Sequence, residues 1–230
     1  MSNIIELENI IKSYPLPDSK EKLTIINNLS LTIEKGKSIA IVGKSGCGKS
    51  TLLQIAASLL AANSGKVIFN NKNISKINDK ELCKIRNKEM GFIFQNSLLL
   101  DDFTAFENII MPLLINKQNK NIAKKRADYL LEKIGLTDRK NHKPSQLSGG
   151  EKQRIALARA LSINPKVIFA DEPTGSLDEE NAFFVEELLI NLVKEEESTL
   201  ILVTHNNAFA NKCDKVVTLT HGNIKEEISE

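Results

Sequence analysis

The fold is decided by one stretch, Ile39-Ala40-Ile41-Val42-Gly43-Lys44-Ser45-Gly46-Cys47-Gly48-Lys49-Ser50-Thr51. Residues 43–50 fit the pattern G-x-x-x-x-G-K-S. The apolar run at residues 39–42 predicts a buried strand before the loop, and residues 52–62 predict a helix after it. This context indicates a phosphate-binding loop, because glycines let successive backbone N–H groups turn inward around an anion.

The loop predicts a nucleoside triphosphate as its ligand. Lys49 would reach the β- and γ-phosphates, and the Ser50 hydroxyl would take one Mg²⁺ position. The N-terminus of the following helix adds partial positive charge toward the same phosphates. The nucleotide-binding residues predicted here are Gly43, Lys44, Ser45, Gly46, Cys47, Gly48, Lys49, Ser50 and Thr51.

Composition narrows the class of protein. The chain has 230 residues, enough for one large domain or two small ones, and its 31 basic residues nearly balance 29 acidic ones. This balance gives no reason to expect nucleic acid or an anionic membrane surface as a partner. We expect no signal peptide at residues 1–6 and no spanning helix, which would need ~20 apolar residues. Cys47, Cys83 and Cys213 are widely spaced and typical of reduced cytosolic thiols.

Hydrophobic periodicity predicts an α/β chain. Alternation around residues 5–9 and 29–33 predicts two antiparallel strands, joined by a turn-rich surface loop at residues 14–22. Strands alternating with helices indicate a core built on a largely parallel sheet. Further strands are predicted at 167–170 and 199–204, hairpins at 66–71 and 215–228, and helices at 79–87, 105–115, 122–134, 151–161 and 179–194.

Two carboxylates follow the apolar strand at residues 167–170. Asp171 and Glu172 would lie at its carboxyl end, the edge where open α/β sheets bind ligands. Beside a phosphate-binding loop, Asp171 is predicted to bind Mg²⁺, and Glu172 to polarise the water that attacks the γ-phosphorus.

A third motif, Leu147-Ser148-Gly149-Gly150-Glu151-Lys152-Gln153-Arg154, opens an apolar helix. By itself it would be an N-cap followed by flexible glycines. Along the chain, however, the order is phosphate-binding loop, Gln95, this motif, the acidic strand, Ser176-Leu177-Asp178 and His205. That order resembles the nucleotide-binding subunit of ABC transporters over essentially the whole chain.

The resemblance implies roles at the nucleotide. Tyr14 is similar to the aromatic residue that stacks on adenine. Gln95 resembles the glutamine that touches Mg²⁺ and the attacking water, and His205 resembles the histidine that contacts the γ-phosphate. Ser148, Gly149 and Gly150, with Asp178, would act across an interface on ATP held by a second subunit. The resemblance therefore implies a head-to-tail homodimer around two ATP molecules.

The resemblance also implies a fold and its division. We expect a single ABC ATPase domain over residues 1–230, with a P-loop NTPase core on a mostly parallel sheet and an N-terminal antiparallel β subdomain. These parts would take about residues 1–94 and 163–230. An inserted helical subdomain would take about residues 95–162.

Two segments, residues 95–100 with 107–114 and residues 171–178, resemble one branch of the family, that of the lipoprotein-release (LolD), macrolide-export (MacB) and cell-division (FtsE) ATPases. Asp101 departs from the proline that relatives often have there. The branch implies a separate integral-membrane permease as partner. It also implies a peripheral position at the cytoplasmic face of the bacterial inner membrane.

Two alternative functions stay open, a soluble ABC ATPase of the iron–sulfur assembly type and an FtsE-like cell-division role. A DNA-repair ABC ATPase is excluded, because the spacing of the motifs leaves no room for the long insertions of that class.

The segment after Gln95 is predicted to hold the permease. It carries more apolar residues than a solvated loop needs, and those not packed inside would line a groove for an amphipathic helix of the permease. The alternative is that all of them are core of the helical insert. These residues are Leu98, Leu99, Leu100, Phe103 and Phe106. His142 and His221 are predicted as surface residues, and Lys124–Arg126 as a solvated helix face.

Overall fold

The computed structural model describes residues 2–16 and 21–226 of the chain. The chain divides into two compact units, unit 1 with Met1–Cys83 and Thr199–Glu230, and unit 2 with Lys84–Ser198. Parts of two predictions, the surface loop at residues 17–20 and the hairpin end at residues 227–228, lie outside the described residues.

The elements follow one another in an alternating order that matches most of the periodicity of the sequence. In chain order they are β1 (Asn3–Pro15), β2 (Lys22–Glu34), β3 (Ser38–Val42), α1 (Lys49–Ala56), β4 (Ser64–Phe69), β5 (Lys72–Asn73), α2 (Asp79–Glu89), β6 (Met90–Phe94), α3 (Ala105–Ile115), α4 (Lys120–Lys133), α5 (Gly149–Leu161), β7 (Val167–Asp171), α6 (Glu179–Glu195), β8 (Thr199–Val203), α7 (Asn207–Ala210), β9 (Lys215–Thr220) and β10 (Asn223–Glu226).

Unit 1 contains an antiparallel sheet with the strand order β2-β1-β4-β5. Ile5 pairs with Ile33 and Leu7 with Leu31, and all four side chains are buried. The alternation that predicted two antiparallel strands is therefore confirmed. The prediction was wrong about Tyr14, which belongs to β1 and not to the loop, because the hairpin pairing continues to Pro15.

The second group of strands in unit 1 runs in the order β10-β9-β3-β8. β3 is parallel to both β8 and β9, and its interior position explains its continuous apolar run. The predicted helix after the loop has wrong bounds, since α1 starts at Lys49 and ends at Ala56. Ser58 takes a left-handed conformation (φ 53°), which ends the helix although apolar residues continue beyond it.

Unit 2 combines the parallel pair β6 and β7 with helices α3 to α6. A Cβ at Gly91 of β6 would lie 2.6 Å from the carbonyl oxygen of Ala160, so α5 packs closely on this pair. Arg126 is not on a solvated face as predicted. It makes a bidentate ion pair with Glu196 and joins α4 to the end of α6. The predicted fold class, α/β with parallel strands and an antiparallel N-terminal sheet, is confirmed.

Candidate functional site

The loop between β3 and α1 depends on two glycines that approach other backbone and side-chain atoms. Gly43 has φ 151°, and a Cβ there would lie 2.5 Å from the carbonyl oxygen of Leu219. Gly48, the N-cap of α1, has φ 104°, and a Cβ there would lie 2.7 Å from Cγ2 of Ile25. A side chain at either position would displace its neighbours, so the path of the loop requires these glycines.

Lys49 places its ammonium group against the inside of the loop. The residue is only 8% exposed, and Nζ donates to the carbonyl oxygens of Gly43 at 2.9 Å and Lys44 at 3.3 Å. The first turn of α1, which includes Ser50 and Thr51, has neither an acidic residue nor a side-chain cap. The N–H groups of a helix start and a lysine thus meet at one place, which is the arrangement of a site for a phosphate chain.

A pocket of about 620 Å³ lies beside this loop in unit 1. Residues 23–25 of β2, residues 43–47 of the loop and residues 218–222 of the β9–β10 turn line it. His221, predicted as a surface residue, is exposed and belongs to this wall. Tyr14 does not line the pocket. It pairs with Leu23 on the neighbouring strand and is 40% exposed.

His205 follows β8, the strand parallel to β3. Ile41 pairs with Val203, and the N–H of Thr204 donates to the carbonyl oxygen of Ile41 at 3.4 Å. Because both strands run in the same direction, His205 and the phosphate-binding loop leave the sheet at the same edge. The structure therefore brings together these predicted residues of unit 1.

In unit 2, predicted site residues likewise follow two parallel strands, β6 and β7. Phe94 pairs with Asp171, so Gln95 and Glu172 emerge from the same edge of a parallel pair. The hydroxyl of Ser176 donates to the carbonyl oxygen of Gln95 at 3.0 Å, which ties the two strand ends together. Asp171 and Glu172 are both half-buried. An amide and two carboxylates at one edge are suited to holding a cation and a water molecule.

The backbone of Glu172 is strained. Its φ is 47°, a left-handed conformation that costs about 1–2 kcal/mol for a residue with a Cβ. The carbonyl oxygen of Glu172 accepts from the N–H of Gly175 at 3.0 Å, so the turn that follows the strand holds this conformation. Strain of this kind is concentrated at functional sites, where it directs a particular side chain.

The signature segment (Leu147–Arg154) and Asp178 lie side by side at the starts of α5 and α6. Ser148 and Glu151 form a capping box, and the Ser148 N–H together with Arg139 lowers the pKa of Glu151. Asp178 caps α6, and hydrogen bonds from Asn181 lower its pKa. A Cβ at Gly150 would lie 2.5 Å from Oδ1 of Asn181. Gly149 and Gly150 therefore leave this helix start open and close to the Asp178 turn.

Sequence reasoning missed two residues of α5 that hold the segment after Gln95. Gln153 is 2% exposed, and its amide donates to the carbonyl oxygen of Phe94 at 2.8 Å. The Arg159 guanidinium donates to the carbonyl oxygens of Leu98 at 2.7 Å and Ser97 at 2.8 Å, and burial lowers its pKa. The sequence signal that could have identified Gln153 is a glutamine on the apolar face of a predicted helix, because a polar group buried there needs a hydrogen-bond partner.

Asn108 of α3 is the third residue that sequence reasoning missed. It is fully buried, and its side-chain oxygen accepts from the N–H of Leu100 at 2.8 Å. Its amide donates to the carbonyl oxygens of Leu100, Phe103 and Thr104 at 3.0–3.2 Å. The segment between β6 and α3 is thus fixed by buried side chains at both ends.

The apolar residues of this segment are only partly covered. Leu98 is 59% exposed and Leu100 is 45% exposed, while Leu99, Phe103 and Phe106 are half-buried. A groove of about 400 Å³ in unit 2 is lined by residues 96–99 and by Gly149 and Lys152 of the signature segment. None of the five predicted docking residues is fully buried, which contradicts the alternative that all of them are core.

Comparison with known proteins decides the family. The model of the ABC transporter family matches residues 26–175, from β2 through the turn after β7. The chain belongs to this family. It is 43% identical to the lipoprotein-releasing system ATP-binding protein LolD of Treponema denticola, over 97% of this chain and 98% of that protein. An uncharacterised ABC transporter ATP-binding protein of Methanocaldococcus jannaschii, MJ1508, is 42% identical over 99% of this chain and 100% of that protein.

Solved structures agree with this assignment. A dimeric ABC transporter cassette, MJ0796, has a TM-score of 0.88 at 35% identity and covers 99% of this chain and all of that one. The same protein is also known as a dimer in a post-hydrolysis state bound to ADP and Pi. As a member of the family, the chain is an ATP-binding ABC subunit and an ATP hydrolase. Within the described ranges, no helix is both long and apolar enough to cross a membrane.

Proposed function

We propose that the chain drives a separate membrane permease by binding ATP between two copies of itself and hydrolysing it. The observation that carries this proposal is the attachment of the exposed Leu98 to α5, the helix that begins with the signature segment. Arg159 holds the backbone of Leu98, and Gln153 holds the end of β6. A partner that moved Leu98 would therefore displace α5 as well.

In the hydrolysis step, the phosphate-binding loop and Lys49 hold the phosphates while Glu172 accepts a proton from the attacking water. The oxygen of that water bonds to the γ-phosphorus, the bond to the β-phosphate oxygen breaks, and ADP and phosphate result. Gln95 orients the water, and His205 contacts the γ-phosphate. The emergence of Gln95 and Glu172 from neighbouring parallel strands supports their roles.

The residues assigned to Mg²⁺ fit this cation by their chemistry. Ser50, Gln95 and Asp171 supply a hydroxyl, an amide and a carboxylate, all hard oxygen donors. Among the described residues there is no cluster of three or more His, Cys, Asp or Glu suited to a metal. That agrees with Mg²⁺, which proteins hold through one or two carboxylates and the substrate phosphates. When bound, the ion neutralises charge on the β- and γ-phosphates.

The signature segment would complete the site of a second copy. Ser148, Gly149 and Gly150 donate to the γ-phosphate held by the partner, and Asp178 crosses the same interface. The open helix start at Gly149 and the contact of Gly150 with Asn181 support this role. The solved dimers of MJ0796, which is similar over the whole chain, support a dimer as the working state. Tyr14 stacks on the adenine from β1.

The helical segment at about residues 95–162 would receive the permease, with Leu98 and Leu99 lining the groove and the exposed Leu100 beside them. The relatives named LolD support a lipoprotein-releasing role. With a permease as partner, the chain would take a peripheral position at the cytoplasmic face of a bacterial inner membrane. An FtsE-like role has the same architecture but a different permease. An iron–sulfur assembly ATPase would need no permease, so the partner distinguishes the classes.

Co-expression with a candidate permease tests the proposal. The tagged chain is expressed with candidate four-span permeases from neighbouring genes, the membranes are solubilised, and the complex is captured through the tag. We expect the permease to co-elute and to change the rate of ATP hydrolysis. A chain that hydrolyses ATP but neither captures nor responds to any neighbouring permease would contradict the transport role and leave the ATPase assignment intact.

A further inference from the structure

The turn between α3 and α4 exposes large aliphatic side chains. Residues 109–115 form an unbroken apolar run, of which Ile109, Ile110 and Leu113 are buried against the unit. Leu114 is 37% exposed and Ile115 is 60% exposed. The core does not require aliphatic residues at these two positions, because a surface helix normally has polar residues there.

A third aliphatic residue adds to this patch. Ile122 lies in the first turn of α4 and is 55% exposed. Only the linker at residues 116–119 separates the end of α3 from the start of α4. We define the α3–α4 corner as this turn with its three exposed aliphatic residues. Clustered exposed aliphatics at one turn mark an interaction site more often than scattered ones do.

Lysines follow and flank these aliphatic residues in the sequence, and acidic residues are absent from the segment. Residues 108–127 contain no Asp or Glu. The lysines are exposed, and none has a carboxylate partner among the described residues. They are Lys117, Lys120, Lys124 and Lys125. The whole chain has a net charge of only +2, so this corner concentrates charge that the rest of the chain balances.

The corner is held in a fixed conformation. Asn116 donates to the carbonyl oxygen of Asn87 at 2.7 Å, and Asn87 donates to the side-chain oxygen of Asn116 at 2.9 Å. Lys117 has φ 58° and closes α3, while Asn119 caps the start of α4. The backbone that carries the aliphatic and basic residues is therefore fixed by capped helix ends and needs no ordering upon binding.

We propose that the α3–α4 corner is a lipid-contact surface that adsorbs to anionic bilayers. Aliphatic residues beside lysines match the interface of such a membrane, where the apolar tips enter the acyl boundary and the ammonium groups stay at the headgroups. Charge complementarity favours this occupant, since the surface of an anionic bilayer attracts each nearby lysine. The contact is direct and does not depend on the proposed permease.

Vesicle sedimentation with the purified full-length chain tests this surface. The probes are vesicles of phosphatidylcholine alone and of phosphatidylcholine mixed with phosphatidylglycerol. We expect the chain to pellet with the anionic vesicles only, and to be released by high salt. The double variant Ile115→Ser with Ile122→Ser, and a variant with Lys117, Lys120, Lys124 and Lys125 changed to Gln, should each bind about tenfold or more weakly.

Matched controls separate the corner from general charge and hydrophobicity. One control changes the exposed lysines Lys22, Lys35, Lys76 and Lys80 to Gln, and another changes Leu59 and Phe183, which are 44% and 63% exposed, to Ser. Both controls should bind vesicles like the original chain, and all variants should keep their ATPase rate and melting temperature. Equal losses in control and corner variants would overturn the proposal, as would absence of pelleting. Binding of polyglutamate without binding of vesicles would overturn it in favour of an acidic protein partner.

Discussion

At the scale of single residues, Glu172 is the group on which the chemistry depends most. Changing Glu172→Gln keeps the shape of the side chain and removes its ability to accept a proton. We expect ATP binding to persist and turnover to fall by about 10²–10⁴-fold, the usual contribution of general acid–base catalysis. ATPase assays measure the rate, and size exclusion with ATP should show a trapped dimer. Near-normal hydrolysis would remove Glu172 from the mechanism.

Lys49 and His205 lie at the same edge of unit 1, but their alanine variants should lose different steps, ATP binding in one case and hydrolysis in the other. Lys49→Ala removes a charged donor from the phosphates, so the affinity for ATP should fall by about 10- to 100-fold. His205→Ala should leave binding unchanged and slow hydrolysis, because its contact matters at the γ-phosphate. Equilibrium binding and ATPase rates on both variants separate the two roles. Equal loss of binding in both variants would refute the role given to His205.

At the scale of elements, the segment between β6 and α3 combines a rigid backbone with exposed leucines. Leu100 is 45% exposed, although its N–H and carbonyl group are bound to Asn108. Leu100→Ser should therefore keep the fold and the ATPase rate of the isolated chain while losing capture of the permease.

Leu59 is the matched control for this experiment, since it is 44% exposed and lies in the turn after α1. Leu59→Ser should retain both the ATPase rate and the capture of the permease. Pull-down of the permease and the ATPase rate, measured on both variants, decide whether Leu100 belongs to the docking surface. If Leu100→Ser unfolds the chain, the residue is part of the core and the docking surface lies elsewhere.

Elements were predictable from sequence where their ends carry a local signal. The helix at residues 105–115 was predicted with the correct bounds, and Thr104 and Glu107 cap its start. α1 was predicted to run too far, because no local signal marks the left-handed Ser58 that ends it. Gln153 and Arg159 were missed because their partners are backbone groups far away in the sequence. Asn108 was missed because its partners lie in the irregular segment just before it and in the first turn of its own helix, and periodicity carries no information about either kind of contact.

At the scale of the whole molecule, we expect alkylation of Cys213 to follow the opening of unit 1. Burial raises the pKa of its thiol to about 12, against an ordinary value of 9.0. Asp214, beside it, accepts hydrogen bonds from the N–H and hydroxyl of Ser38 at 2.7 Å, at the start of the strand that leads to the phosphate-binding loop. Near pH 8 the folded thiol is almost wholly protonated, so we expect alkylation of Cys213 to be much slower in folded molecules than in opened ones.

ATP should slow this alkylation. A ligand present at one hundred times its Kd stabilises the folded state by about 2.7 kcal/mol, which lowers the population of open molecules about 100-fold. Mass spectrometry of each cysteine measures the effect, with the exposed Cys83 as an immediately reacting reference. If ATP still protected Cys213 in the Lys49→Ala variant, the protection would not come from ATP bound at the phosphate-binding loop, and the prediction would be contradicted.

The pKa of Cys213 also sets a pH dependence. The thiol of the unfolded chain ionises near pH 9.0, whereas that of the folded chain ionises near pH 12. Its contribution to the free energy of unfolding is therefore complete below pH 9 and is lost as the pH rises toward 12. Denaturant unfolding measures the free energy of unfolding of the chain and of a Cys213→Ala variant at a series of pH values. The two plots of this free energy against pH should differ in slope only between pH 9 and pH 12.

The left-handed backbone of Glu172 has a consequence for directed evolution. Glycine would adopt this conformation without a Cβ penalty, so Glu172→Gly should raise the melting temperature while lowering turnover at least as much as Glu172→Gln does. A laboratory selection for heat resistance alone would then favour loss of the carboxylate, and only a simultaneous selection for activity would retain it. In populations of this protein, position 172 would serve as an indicator of whether selection acts on catalysis or on durability.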